Sequence, residues 1–246
     1  MNVHDHSSAG QILAVLFDLD GVLTDTAEYH YLAWKRLADE LGIPFTREDG
    51  DRLRGVSRRP ALEIILGLSG RTGSEEEMQE WMTRKNAHYQ ELITRVTPAD
   101  LLPGVAALLN ELRERGIKIA VASASKNSPE VIRRLEIEDS IDQLVHGGMV
   151  ERQKPFPDLF LQAAKQVGVP AAACIVVEDA AAGIEAAIAA GMVSVGLGPE
   201  ERVGKADRVF ADLANVTVDE LLAAASKGGK DADNSDLKHS ASTREQ

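Results

Sequence analysis

Residues 12–17, ILAVLF, are apolar without interruption and end directly in Asp18-Leu19-Asp20-Gly21. So short a run, with no polar alternation, reads as a strand buried on both faces, the mark of a parallel sheet. Parallel neighbours need crossover connections, so helices must lie between the strands. After residue 100 they do. Residues 108–115 are amphipathic and stop at Gly116, IKIAVA at 117–122 is a strand, and a helix opens at Ser128-Pro129, with Ser128 as its cap. A weaker strand, LVH, follows at 144–146, then a helix from Pro157-Asp158 to Gly168. CIVV is a firm strand, AAGIEAAIAAG a helix stopped by Gly191, and MVSVG and DRVFA are two more strands. Thr217 and Glu220 form a capping box that opens the closing helix. The pattern is an α/β fold with a Rossmann-like parallel-sheet core.

Between the first two strands lie about a hundred residues with almost no strand signal. Tyr29, Ala33, Leu37 and Leu41 recur at helical spacing, residues 60–68 read as a second helix, and Ser74 with Glu77 caps a third. That third helix carries Met78, Trp81, Met82, Tyr89, Leu92 and Ile93. This is too much helix for one crossover, and it predicts an all-helical domain over 27–98 inserted into a discontinuous core of 11–26 and 99–226. Residues 227–246 hold one Leu and no aromatic residue, and are expected to be a disordered polar tail.

The formal net charge is −12, and the four basic and four acidic groups of residues 227–246 cancel, so the excess acid belongs to the body. An acidic body argues against nucleic acid or an anionic membrane as partner, though not against a small phosphate ligand held by local cations. The start, MNVHDHSSAG, has neither a basic leader nor an apolar core, and the expectation is a soluble, cytoplasmic monomer. The single cysteine, Cys174, sits in an apolar run and reads as a buried thiol.

Asp18 and Asp20 leave one strand end on the same side, with Leu19 turned away and Gly21 permitting a tight turn. Carboxyl ends of parallel strands are where ligands bind. Like charges so close call for a cation or a shared proton. A second acidic pair, Glu178-Asp179, follows CIVV, and an oxygen-only cluster without His or Cys suits Mg²⁺ rather than zinc. The loop Ser123-Ala124-Ser125-Lys126-Asn127 follows another strand and leads into a helix, a phosphate-binding arrangement, and Lys154-Pro155 follows the next. Together these describe a phosphoryl-transfer site. Asp18 is the candidate nucleophile, forming an aspartyl phosphate. Mg²⁺, Lys154 and Ser123 take up charge on the phosphoryl oxygens, and Asp20 exchanges the proton of the leaving and entering oxygens.

With FDLDGVLTDTAEYHYLAWK at 17–35, RGVSRR at 54–59, ASASKN at 122–127, QKPFPDLF at 153–160 and VVEDAAAG at 176–183, the chain resembles the haloacid-dehalogenase-like superfamily. Within it, the likeness is to sugar-phosphate mutases with a helical cap inserted after the first strand, and it covers residues 12 to 225. The resemblance implies Asp18 as nucleophile and metal ligand, Asp20 as general acid/base with its carbonyl on Mg²⁺, and Asp179 as ligand with Glu178 beside it. It implies Ser123 and Lys154 on the transferring phosphoryl, and Arg58, Ser125, Lys126 and Asn127 on a second phosphate. Gly55, Val56 and Ser57 would line the sugar, His30 and Lys85 the face between cap and core, and Thr26 the hinge. Trp34 reads as cap core before sugar platform, Lys85 stands against a solvated-face alternative, and His88 reads as surface. Gln153 and Ala180 depart from the usual pattern without touching the catalytic set.

The implied reaction is interconversion of β-D-glucose 1-phosphate and glucose 6-phosphate through β-glucose 1,6-bisphosphate, which is both intermediate and activator. A Mg-dependent sugar-phosphate phosphatase on the same Asp18 and Asp20 stays open. A dehalogenase would need neither Asp20 nor metal, and Lys85 is not in the setting of a Schiff-base lysine. A non-catalytic binding module would not need the intact set of Asp18, Asp20, Lys154 and Asp179. The glycines of GLG at 196–198 fail dinucleotide spacing, since position 201 is Glu.

Overall fold

The computed structural model describes residues 11–226. Its centre is a six-stranded, all-parallel sheet of β1 (Ala14–Phe17), β2 (Lys118–Ser123), β3 (Gln143–His146), β4 (Cys174–Glu178), β5 (Val193–Leu197) and β6 (Arg208–Phe210), in the order β3-β2-β1-β4-β5-β6. The strand order reverses at β1, between β2 and β4. Phe17 lies level with Val121 on one side and Val177 on the other, so the residues after these strands emerge at one edge. This is the switch point of an open parallel sheet, where a crevice forms.

Alternation along the strands feeds two apolar layers. Val15, Phe17, Ile119, Val121, Ile175 and Val177 face one layer, which α5 (Val105–Glu114), α6 (Ser128–Leu135) and the closing helix (Val218–Leu222) complete. Ala14, Leu16, Ala120, Ala122 and Val176 face the other, against α7 (Asp158–Val167) and α8 (Ala181–Ala189). The small Ala positions let α7 approach the sheet closely. Cys174 is buried in this second layer, and burial pushes its thiol up to about 11.

Between β1 and α5 lie α1 (Thr26–Glu40), α2 (Arg47–Asp51), α3 (Arg58–Gly67) and α4 (Glu75–Ile93). They enclose their own apolar cluster, built from Trp34, Leu37, Phe45, Leu62, Ile65 and Trp81 among others. Ala33, Tyr89 and Ile93 instead join the main layer beneath, so the roots of α1 and α4 are welded to the sheet side. No helix among the described residues is long and apolar enough to cross a membrane.

Three local readings need correction or addition. The cap of α6 is Asn127, not Ser128, because the Ser128 hydroxyl is turned back to donate to the Ser125 carbonyl at 3.0 Å. Helix α2, REDGD, has no apolar residue to announce it and rests on a Thr46–Asp49 capping box. His88 is buried rather than on the surface, since α4 turns it toward α1, with Nε2 3.5 Å from Glu40. The tail expectation for 227–246 lies outside the described residues.

Candidate active site

Asp18 and Asp20 stand at the exit of β1, where the backbone N–H of Asp20 donates to Asp18 Oδ2 at 3.0 Å. Gly21 follows with φ of +85°, and a Cβ there would lie 2.3 Å from Asp179 Oδ2, so turn and packing both require glycine. Lys154 reaches in from the loop after β3. Its Nζ donates to Asp18 Oδ1, to Glu178 Oε1 at 2.6 Å and to the Ala122 carbonyl at 3.2 Å, and the side chain is fully buried. Burial works against the ammonium, but Asp18 and Glu178 outweigh it and hold Lys154 charged, above the usual lysine range.

The carboxylates outnumber the cations here. Burial, reinforced by Asp18, pushes Asp20 up to about 7, and Thr26 opposes the rise by donating its hydroxyl to Oδ1. Burial also raises Glu178 to about 8 against the pull of Lys154, and Asp179 to about 6 against Arg54 and Arg202. Asp20 is therefore placed to hold or release a proton near neutrality, which general acid–base work requires. Ser123, buried at the end of β2, has its hydroxyl 3.4 Å from Asp20 Oδ2 and receives the Ser125 N–H at 3.1 Å.

A cavity of 450 Å³ opens above Asp18 and Asp20. Residues 124–126 wall it on the sheet side, and residues 55–58 with His30, Trp34 and Lys85 wall it from the helical insertion. Ser123, Lys154, Glu178 and Asp179 lie beneath its floor, Thr26 backs Asp20, and Asn127 stands beside it at the start of α6. Trp34 belongs both to the apolar cluster of the insertion and to the cavity wall. Lys85 is buried, not solvated, with Nζ 2.9 Å from His30 Nδ1 and 4.8 Å from the centres of the Trp34 and Tyr89 rings. Burial, aided by Arg58, brings it down to about 7. Burial and the charge of Lys85 hold His30 well below the usual range, so its ring is neutral. Its Nε2 faces Asp20 Oδ1 at 3.7 Å.

Two contacts escape a reading along the chain. Arg54 Nη1 donates to Asp179 Oδ2 at 3.0 Å, tying the loop before α3 to the end of β4. A basic residue immediately before GVSR was the available signal. Asn86 Oδ1 accepts from Arg58 Nη2 at 2.6 Å and from Asn127 Nδ2 at 2.9 Å, and no local pattern marks that asparagine. Gly55, with φ of +70°, passes so close to Ala180 that a Cβ would sit 2.9 Å from the alanine methyl.

A buried lysine fixed between carboxylates at a sheet switch point, beside a second buried aspartate, makes this an enzyme of hydrolase or phosphotransferase type with a catalytic aspartate. The chain belongs to the haloacid dehalogenase-like hydrolase family, whose model matches residues 12–191. It is 47% identical over 211 residues to the β-phosphoglucomutase of Bacillus subtilis (strain 168), covering 85% of this chain and 93% of that one. It is 31% identical over 213 residues to the phosphorylated carbohydrates phosphatase of Thermotoga maritima, covering 85% and 96%. The crystal structure of β-phosphoglucomutase from Clostridium difficile superposes with a TM-score of 0.85 at 39% identity, covering 88% of this chain and 98% of that one.

Proposed function

We propose that the enzyme interconverts β-D-glucose 1-phosphate and glucose 6-phosphate, with a core of residues 11–26 and 99–226 and a helical cap of 27–98. The observation that carries this reading is a cavity lined by Asp18 and Asp20 from the sheet and by Arg58 from the helical insertion. Similarity to the Bacillus subtilis mutase along most of both chains supports it.

Asp18 attacks the phosphoryl group in line and becomes an aspartyl phosphate, while Asp20 protonates the leaving sugar oxygen. Lys154 and Ser123 hold the phosphoryl oxygens, and Arg58, with Ser125, Lys126 and Asn127, grips the phosphate that is not transferred. β-Glucose 1,6-bisphosphate forms when the aspartyl phosphate passes its phosphoryl to the C6 hydroxyl of a bound β-glucose 1-phosphate, with Asp20 taking the proton. Asp18 then accepts the C1 phosphoryl, which releases glucose 6-phosphate and restores the aspartyl phosphate. The bisphosphate also primes the enzyme. The helical cap excludes water that would otherwise discharge the aspartyl phosphate. His30 and Lys85 orient Asp20 from the cap side, and Thr26 does so from the hinge.

The haloacid-dehalogenase-like fold implies Mg²⁺, and the residues fit it. The donors are all oxygen, and burial, reinforced by the Asp18 charge, raises Asp20 and Asp179, a cost that an added cation would relieve. No three His, Cys, Asp or Glu groups converge as a complete cage among the described residues. Asp18, Asp179 and the Asp20 carbonyl would hold the ion, with Glu178 behind them. When bound, it supplies positive charge against the phosphoryl oxygens.

A coupled assay with Mg²⁺, β-glucose 1-phosphate and a trace of the bisphosphate tests the reading, with Asp18→Asn as control. Glucose 6-phosphate in large excess over free phosphate is the expected result. Phosphate released one for one would make the enzyme a phosphatase, as the similarity to the Thermotoga maritima protein allows.

A further inference from the structure

We infer that Asn86 is the positioning residue for Arg58, holding its guanidinium by a neutral acceptor so that its charge remains available to a phosphate. The inference rests on the reading of Arg58 as the grip on the second phosphate.

One oxygen does the holding. Asn86 Oδ1 accepts from Arg58 Nη2 at 2.6 Å and from Asn127 Nδ2 at 2.9 Å. A guanidinium can only donate, so the Asn86 amide must turn its oxygen to Arg58, and Asn127 must then present its NH₂. The bridge joins the first residue of α3 to the residue at the start of α6, so Asn86 ties the helical insertion to the sheet side beside the cavity.

The contrast with neighbouring arginines gives the bridge its meaning. Arg54 pairs with Asp179, and Arg59 pairs with Glu63 and Glu75. Arg58 forms no ion pair among the described residues, although it is half-buried. Its unneutralised charge reaches His30 and Lys85 and helps depress the proton affinity of both. A carboxylate at position 86 would have the same shape and hold Arg58 more firmly. It would also cancel the guanidinium charge and repel a phosphate dianion.

That difference sets the test. Asn86→Asp and Asn86→Ala are compared with Arg58→Ala, using β-glucose 1-phosphate and, separately, acetyl phosphate, a phosphoryl donor with no second phosphate. Asn86→Asp is expected to raise KM for the sugar phosphate about tenfold or more, the range of one hydrogen bond to a charged group. Asn86→Ala should raise it less, and consumption of acetyl phosphate should stay near wild type in both. A purely structural role predicts the opposite order, because the isosteric Asp keeps the bridge and Ala loses it. The inference falls if Ala is the worse variant, or if both substrates suffer equally, with thermal melting as the check on folding. Should Arg58→Ala leave the sugar-phosphate KM unchanged, the role of Arg58 itself falls. Should it raise KM while both Asn86 variants behave as wild type, only the role of Asn86 does.

Discussion

Lys154→Met removes one buried ammonium and leaves its shape nearly filled. The side chain is fully enclosed and donates to Asp18, Glu178 and the Ala122 carbonyl. Hydrogen bonds to charged groups contribute roughly 1.5–3 kcal/mol each, and the ammonium no longer has to be dehydrated, which offsets part of the loss. Breaking a buried pair by removing one partner costs about 3–5 kcal/mol, because the surviving carboxylates are left uncompensated. In a chain this size that corresponds to a Tm lower by roughly 6–20 °C. The pH dependence identifies the cause. Burial already raises Glu178 to about 8 with Lys154 present, and without it the folded pKa rises further. A group whose folded pKa is raised contributes stability that is complete below its unfolded pKa and lost as pH rises through the folded one. Glu178 stays protonated in both folded proteins at pH 5–7, so the deficit of the variant should hold level there and grow from pH 8 to pH 10, where only the wild type can ionise Glu178 beside an ammonium. Urea denaturation of both proteins in chelator, across that range, measures it. Equal stability throughout, or a deficit that does not grow between pH 8 and pH 10, would refute the reasoning.

Two further outcomes follow from the same site. Asp20 is pushed up to about 7, so its ionised form opposes folding as pH rises between 3.8 and that value. Asp20→Asn should then be more stable than wild type near pH 8 in chelator, on the order of 2 kcal/mol, with the gain vanishing near pH 4, while phosphoryl transfer falls by about 10²–10⁴. Gly183→Ala would place a methyl 1.8 Å from Glu178 Oε1, in a helix where Ala is otherwise favoured. A loss of about 1–3 kcal/mol in thermal melting is expected, and a stabilised variant would show that Glu178 is free to move.

Much of the core was legible because its signals are local. A buried parallel strand declares itself by an unbroken apolar run, and carboxylates or hydroxyls just beyond it land at the sheet's ligand edge. The capping boxes at Ser74 and Thr217 are four-residue patterns, and both form. Helix α2 was not legible, because REDGD offers no apolar periodicity. The cap of α6 was misread by one residue, since Ser128 spends its hydroxyl on Ser125. His88 was misread because its burial depends on where α1 lies against α4.

The sequence by itself determined which residues can carry the chemistry and at which strand ends they stand. Tertiary structure alone decided their state. Arg54 meets Asp179 across 125 residues and Lys154 meets Asp18 across 136, distances along the chain over which no periodicity speaks. Asp20 is raised to about 7, and His30 is held well below its usual range, by burial and by charges brought from other elements. Proton affinity depends on desolvation and on the sum of nearby charges, and both exist only once the cap helices and the sheet enclose one space.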